Sequence, residues 1–148
     1  MISYFHGADS REKLKKLIAF SLRFIVCSSA VCAAVSILAA RPLTGVFTRP
    51  DSPVFALAVT GTRLCSLALL FVGLNVFASG MFTALSNGVV SAVLAFSRSF
   101  LFTAACIQLL PVLLGGVLGV WLATPAAELL GTVMAAAVLV KYRKRYGY

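Results

Sequence analysis

Charge is scarce in this chain, and negative charge scarcer still. Of 148 residues only four are Asp or Glu, against thirteen Lys or Arg. Charged residues make up 11% of the chain, too few to cover the surface of a soluble domain of this length, which argues against a water-soluble fold. The four cysteines, Cys27, Cys32, Cys65 and Cys106, all lie in apolar stretches, where a cysteine acts as a small hydrophobe facing lipid or a neighbouring helix. Cys27 and Cys32 are spaced unlike a metal-ligand pair, so no metal is expected. No Walker A loop, Rossmann glycine set, nucleophile elbow, HExxH or channel-filter motif occurs. The residues therefore point away from an enzyme and from a cofactor, and toward movement of a solute. The lone histidine, His6, reads as a loop residue.

What the chain has in abundance is apolar length. Hydrophobic residues reach 61% and the mean hydropathy is +1.01. Four stretches, about 14–40, 54–83, 89–112 and 118–140, each exceed the roughly 20 residues that cross a bilayer. Backbone groups in hydrocarbon must pair, and runs this long and rich in Ala and Leu exclude the short alternating strands of a barrel. The expected fold is all-α, a polytopic membrane protein with four transmembrane helices. The basic residues supply its orientation. Arg11, Lys13, Lys15, Lys16 and Arg23 precede or begin the first span, Arg98 lies near the second connection, and Lys141, Arg143, Lys144 and Arg145 follow the last. An even number of spans puts these on one side, and the positive-inside rule makes that side the cytoplasm, with both termini there. Net charge +9 is explained by anchoring in a lipid bilayer; no aromatic-laced basic groove suggests nucleic acid.

Local signals punctuate the spans. The first should end at Arg41-Pro42, because the residue before proline is biased out of the helical region. Residues 41–53 should form a loop, with Asp51 or Ser52 capping the next helix near Pro53. The second span is longer than it needs to be, so tilt, a bend or an emergent end must absorb the excess. Ser86-Asn87-Gly88 marks a tight turn, Gly115, Gly116 and Gly119 surround another, and residues 141–148 should form a cytoplasmic tail. Short connections make spans two, three and four antiparallel neighbours.

Glu128 is the sharpest candidate, a carboxylate about ten residues into the last span. It is either a proton-titrated or conformational-switch group, or a hydrogen-bonded acid tying that span to a neighbour. Arg63 and Arg98 lie at opposed depths, which suggests separate positions; each is open to a snorkelling or packing role or to contact with a solute. Asn75 and Gln108 offer interhelical hydrogen bonds. Pro111 and Pro125 each free a carbonyl one turn back and are hinge or packing candidates. Ala127 with Gly131, and Gly115 with Gly119, stand four apart as close-approach pairs.

Four stretches, taken in order, resemble a known family. YFHGADSREKLKKL looks like a cytoplasmic loop leading into a basic amphipathic helix start. RPLTGVFTR and FTALSNGVVSAVLAFSRSFLF are similar to two later connections, the second with Arg98 at a characteristic arginine position. GGVLGVWLATPAAELLG resembles a final transmembrane helix. Together they are similar to multidrug and toxic compound extrusion (MATE) transporters, in particular the prokaryotic MepA-like branch. The resemblance implies a fold of twelve helices in two six-helix lobes, with residues 1–148 as the C-terminal part of the second lobe, helices nine to twelve. It implies an antiporter in the inner membrane that couples Na⁺ or H⁺ to export of amphipathic, often cationic drugs, and so a missing N-terminal lobe as partner. Two departures stand out: span two carries no acidic residue, and the first-lobe acids are absent, while Glu128 falls at an often acidic position. Two other readings remain: a self-contained four-helix protein forming an oligomeric small exporter, and a non-transporting membrane subunit. The small multidrug resistance family carries its essential glutamate in the first helix, and span one here has none.

Overall fold

The computed structural model describes residues 2–3 and 11–146, all of the regular structure in them helical; His6 and the end of the basic tail, residues 147–148, lie outside the described residues. The elements are α1 (Arg11–Leu38), α2 (Ala40–Phe47), α3 (Phe55–Ser66), α4 (Leu69–Ala84), α5 (Gly88–Phe96), a π-helical segment (Ser97–Phe102), α6 (Thr103–Leu114) and α7 (Gly116–Tyr146). They make four runs long and apolar enough to cross a membrane: Glu12–Leu38, Phe55–Ala84, Gly88–Leu114 and Gly116–Arg143. At most 28% of the most apolar window of any run is buried within the protein, so most of each wall faces outward, as lipid-facing helices require. Phe20, Phe24, Val31 and Leu38 on α1 are among the large apolar side chains exposed. The chain is an all-α multi-pass membrane protein.

Span two is the hub. Span one packs chiefly against it, span three pairs with its second half, and span four touches both of its halves while running most closely beside span three. One core cluster, at the Asn87 end, joins Leu14 and Ile18 of α1 to Ala78, Met81 and Phe82 of α4 and Ala135 of α7. Tyr142 and Tyr146 of α7 stack on each other and meet Phe82 edge-on, with centroids 5.6 and 6.4 Å away. The other cluster, Cys106, Ala123 and Ala127, sits where spans three and four press together.

Three helix breaks differ from the expected boundaries. The first span stops at Leu38, short of Arg41-Pro42, with Ala39 off the helical region at φ −82°, ψ 5°. The chain then becomes helical again, so part of the expected loop is α2. Pro42 is tolerated because it falls in the first turn, whose N–H groups have no intrahelical acceptor. α2 buries Ala40 and Thr44 and exposes Leu43, Val46 and Phe47, the amphipathic form of a helix lying in the membrane interface. Span two is tightened in its middle: Leu67 and Ala68 donate to Leu64 and Cys65, three residues back, at 3.1 and 3.0 Å. Before this break Thr62 and Ser66 donate their hydroxyls to Ala58 and Thr62 carbonyls, a back-bonding that bends helices. Span three contains the π segment. At the far end α7 stays helical to Tyr146, so residues 141–146 continue the last helix.

The two hairpin turns follow their residues. After α4, Ser86 takes a left-handed conformation (φ 58°), Asn87 N–H reaches Phe82 O (2.8 Å) and Ser86 N–H reaches Thr83 O (3.0 Å), a Schellman closure. Asn87 then caps α5 through Val90 N–H and donates its amide to Tyr146 Oη at 2.9 Å. Between spans three and four the reversal is made by Gly115 and Gly116, both at positive φ (76° and 62°). Beyond it a Cβ on Gly119 would fall on the Leu110 carbonyl oxygen and 2.5 Å from Pro111 Cα, so the helices touch backbone to backbone.

Candidate functional site

One polar knot ties spans two, three and four within the apolar bundle. Glu128, three residues past Pro125 on α7, accepts from Asn75 Nδ2 of α4 at 2.7 Å and from the Arg98 guanidinium at 3.2 Å. Asn75 Nδ2 also donates to the Glu128 backbone carbonyl (2.9 Å), which uses both hydrogens of its amide. Its carbonyl oxygen accepts from Thr132 Oγ1 at 3.2 Å; Thr132 Oγ1 also lies 2.9 Å from the Glu128 carbonyl oxygen, and its single hydrogen serves either acceptor. Asn75 is buried, and the Arg98 and Glu128 side chains keep only 21% and 14% of their exposure, so the ion pair is poorly screened.

Two backbone features make room for the knot. Gly131 has no side chain where one would crowd both polar partners: a Cβ there would stand 3.1 Å from Arg98 Cγ and from Asn75 Nδ2. Arg98 lies in the π segment, whose wider turn packs on α7, and Thr103 Oγ1 caps the Arg98 carbonyl at 3.0 Å. Among the described residues no buried side-chain nitrogen or oxygen lacks a partner.

A second polar feature lies on the other half of span two. A cleft of about 580 Å³ is lined by Gly61, Thr62, Cys65, Ser66, Leu69 and Trp121, among others. The Trp121 indole lies against Gly61, where a Cβ would come within 2.5 Å of Cε2. Pro125 cannot donate to the Trp121 carbonyl four residues back, and the Cys65 thiol does so at 3.5 Å. The freed carbonyl is thus satisfied from a neighbouring helix, which ties Pro125 into packing.

Of the residues singled out from the sequence, the structure brings Glu128, Arg98 and Asn75 together. Arg63 lies elsewhere, exposed and beside Arg41 on a cleft of about 320 Å³. Gln108 is exposed on α6 and belongs to neither feature. The helices continue through Pro111 and Pro125. Cys27 and Cys32 are exposed, Cys65 is half-buried and Cys106 is buried; all four are free thiols. No three His, Cys, Asp or Glu side chains converge as a metal-ligand set among the described residues. Sequence reasoning passed over Thr132 and Gly131 as members of the knot. Thr132 stands one turn beyond Glu128 on the same face, which was a usable signal.

The model of the MatE family matches residues 1–107 of the 148. The matched region carries the three earlier stretches of resemblance and two members of the knot, Asn75 and Arg98; Glu128 lies beyond it. Comparison with curated proteins and with solved structures gave no match. A match over this much of the chain, covering spans one and two and most of span three, places the protein in the MatE family, the multidrug and toxic compound extrusion transporters.

Proposed function

We propose that these four helices work as part of a cation-coupled efflux antiporter of the MepA-like kind, exporting amphipathic, often cationic compounds. In this reading they are its last four helices, with both ends of the chain on the cytoplasmic face of the inner membrane, and a first lobe completes the pathway. Alternating access needs two bodies that rock about a shared site, and one group of four helices supplies at most part of one. The observation that carries the reading is the Arg98–Glu128–Asn75 knot, joined to membership in the family. An ionisable pair inside spanning helices is costly to keep and is most often functional. Glu128 holds two different helices through one carboxylate, so a proton or cation that competes for its oxygens would loosen both at once. The basic flanks of spans one and four and the tyrosines at the end of α7 support the orientation.

The test uses proteoliposomes holding the full-length transporter, loaded with ethidium under an imposed Na⁺ or proton gradient. Glu128→Gln should lower gradient-driven export at least tenfold and abolish the proton or Na⁺ movement that accompanies it. Unchanged coupling and transport would leave Glu128 a structural tie. Proteoliposomes holding residues 1–148 alone should not export; gradient-driven efflux from them would replace this reading with a self-contained small exporter.

A further inference from the structure

Two arginines share a cleft at the end of the bundle away from Asn87, apart from the polar knot. The cleft, about 320 Å³, is walled by Arg41 of α2 and by Phe55, Ala56, Val59, Thr60 and Arg63 of α3. Phe55, Val59 and Arg63 fall four apart, as do Ala56 and Thr60, so α3 turns one face to it. Thr44, one turn beyond Arg41, lies 3.4 Å hydroxyl to hydroxyl from Thr62, the neighbour of Arg63. That contact holds α2 beside α3 and keeps both arginines on one cleft. The exposed Leu43, Val46 and Phe47 seat α2 in the membrane interface, which sets Arg41 at headgroup depth. Span two runs 30 residues, about 45 Å, against a hydrocarbon core of about 30 Å, so its end turns reach into the headgroup layer. Arg63, about 12 Å along α3 from Phe55, then stands near the boundary of that layer, within reach of its long stem.

We propose that this cleft binds the headgroup phosphate of one anionic phospholipid from the adjoining leaflet. Two guanidiniums brought to one cleft repel each other, and an anion between them replaces that repulsion with two attractions. An arginine within an apolar span is costly, and a charged partner at the interface offsets the cost. The planar fork of each guanidinium matches phosphate oxygens, two donors to two acceptors. A single phosphate against two cations leaves one positive charge in excess. A choline headgroup would add another, so the cleft favours a lipid of net negative charge. Phe55, Ala56 and Val59 give the rest of the wall an apolar surface suited to the glycerol and the first acyl carbons.

Native mass spectrometry of the purified chain, released from micelles doped with palmitoyl-oleoyl phosphatidylglycerol or the matching phosphatidylcholine, tests this. The intact chain should hold phosphatidylglycerol at energies that strip phosphatidylcholine. Arg41→Gln with Arg63→Gln should remove one phosphatidylglycerol from the number held. The weakening at that site should be roughly thirtyfold, about fivefold for each charge. Ala56→Trp, on an exposed part of the wall, fills the cleft, leaves both charges and should remove the same lipid. Arg49→Gln, at the same end of the bundle but outside the cleft, should change nothing. Equal retention of the two lipids overturns the proposal; it is the result expected if Asp51, on the chain leading into α3, neutralises the arginines instead. A phosphatidylglycerol count that neither the double variant nor Ala56→Trp lowers also overturns it. So does an equal loss with Arg49→Gln, which would show attraction to this end in general. Glycerol 3-phosphate held as firmly as the lipid would overturn it too, by making the ligand a soluble phosphate.

Discussion

The knot makes an asymmetric prediction about its two charged members. At 3.2 Å and an effective dielectric of about 20, the Arg98–Glu128 attraction is on the order of 5 kcal/mol, most of it offset by desolvation of both groups. What decides a variant's stability is therefore the partner left behind. Glu128→Leu strands a guanidinium that cannot shed its charge, and it also takes the acceptor from Asn75 Nδ2; the expected loss is about 3–5 kcal/mol. Arg98→Leu leaves a carboxylate still held by Asn75 and able to take a proton, and should cost about 1–3 kcal/mol. The double variant removes both charges and should be about as stable as Glu128→Leu alone although it carries both changes, a coupling of about 2 kcal/mol. Unfolding of the purified protein by titrated dodecyl sulfate in mixed micelles, followed by helical circular dichroism, gives all three values. Equal single losses with a coupling under about 0.5 kcal/mol would refute the argument, because they would mean that the two groups do not depend on each other.

The glycines should split by sign. Gly119→Ala should destabilise by about 1–3 kcal/mol, since its Cβ has only backbone to displace. Gly80→Ala, with nothing within 4 Å of the new methyl, should stabilise by up to about 1 kcal/mol, and the same unfolding titration reads both. Ser86→Gly should raise stability by roughly 1 kcal/mol, because a left-handed serine closes the Schellman turn where glycine carries no Cβ penalty; a loss of stability would show that the serine side chain matters more than its backbone.

Much of the fold was legible because its causes are local. Apolar length fixes four spans, and Ser86-Asn87-Gly88 and Gly115-Gly116 carry the residues that reversals need. The helix breaks were less legible. The excess length of span two announced that something must give, but not that Thr62 and Ser66 would bend it before Leu67. The site was legible by residue type and illegible by pairing. Arg98 and Glu128 are thirty residues apart, and only their distances from the shared Gly115 turn bring them into reach. Counted along the helices these are about 25 and 19 Å, an offset that the long arginine side chain covers. Arg63, of the same chemistry, lies with Arg41 because it sits on the first half of span two.

The π segment supplies the remaining part of that pairing. Cys106 marks the face of span three that packs on Ala123 and Ala127 of α7. In an unbroken α-helix, eight residues at about 100° each would leave Arg98 roughly 80° away from that face. A π turn absorbs about one extra residue, which brings Arg98 to within roughly 20° of it and so toward Glu128. Deleting Phe100, which is exposed on this segment, should therefore convert span three into continuous α-helix without moving Arg98 off the α7 face. The expected outcome is an unfolding midpoint near that of the intact chain and an undiminished Arg98–Glu128 coupling in the same double-variant cycle. If the deletion instead abolishes the coupling, the wide turn does more than restore register: its own geometry then positions the guanidinium.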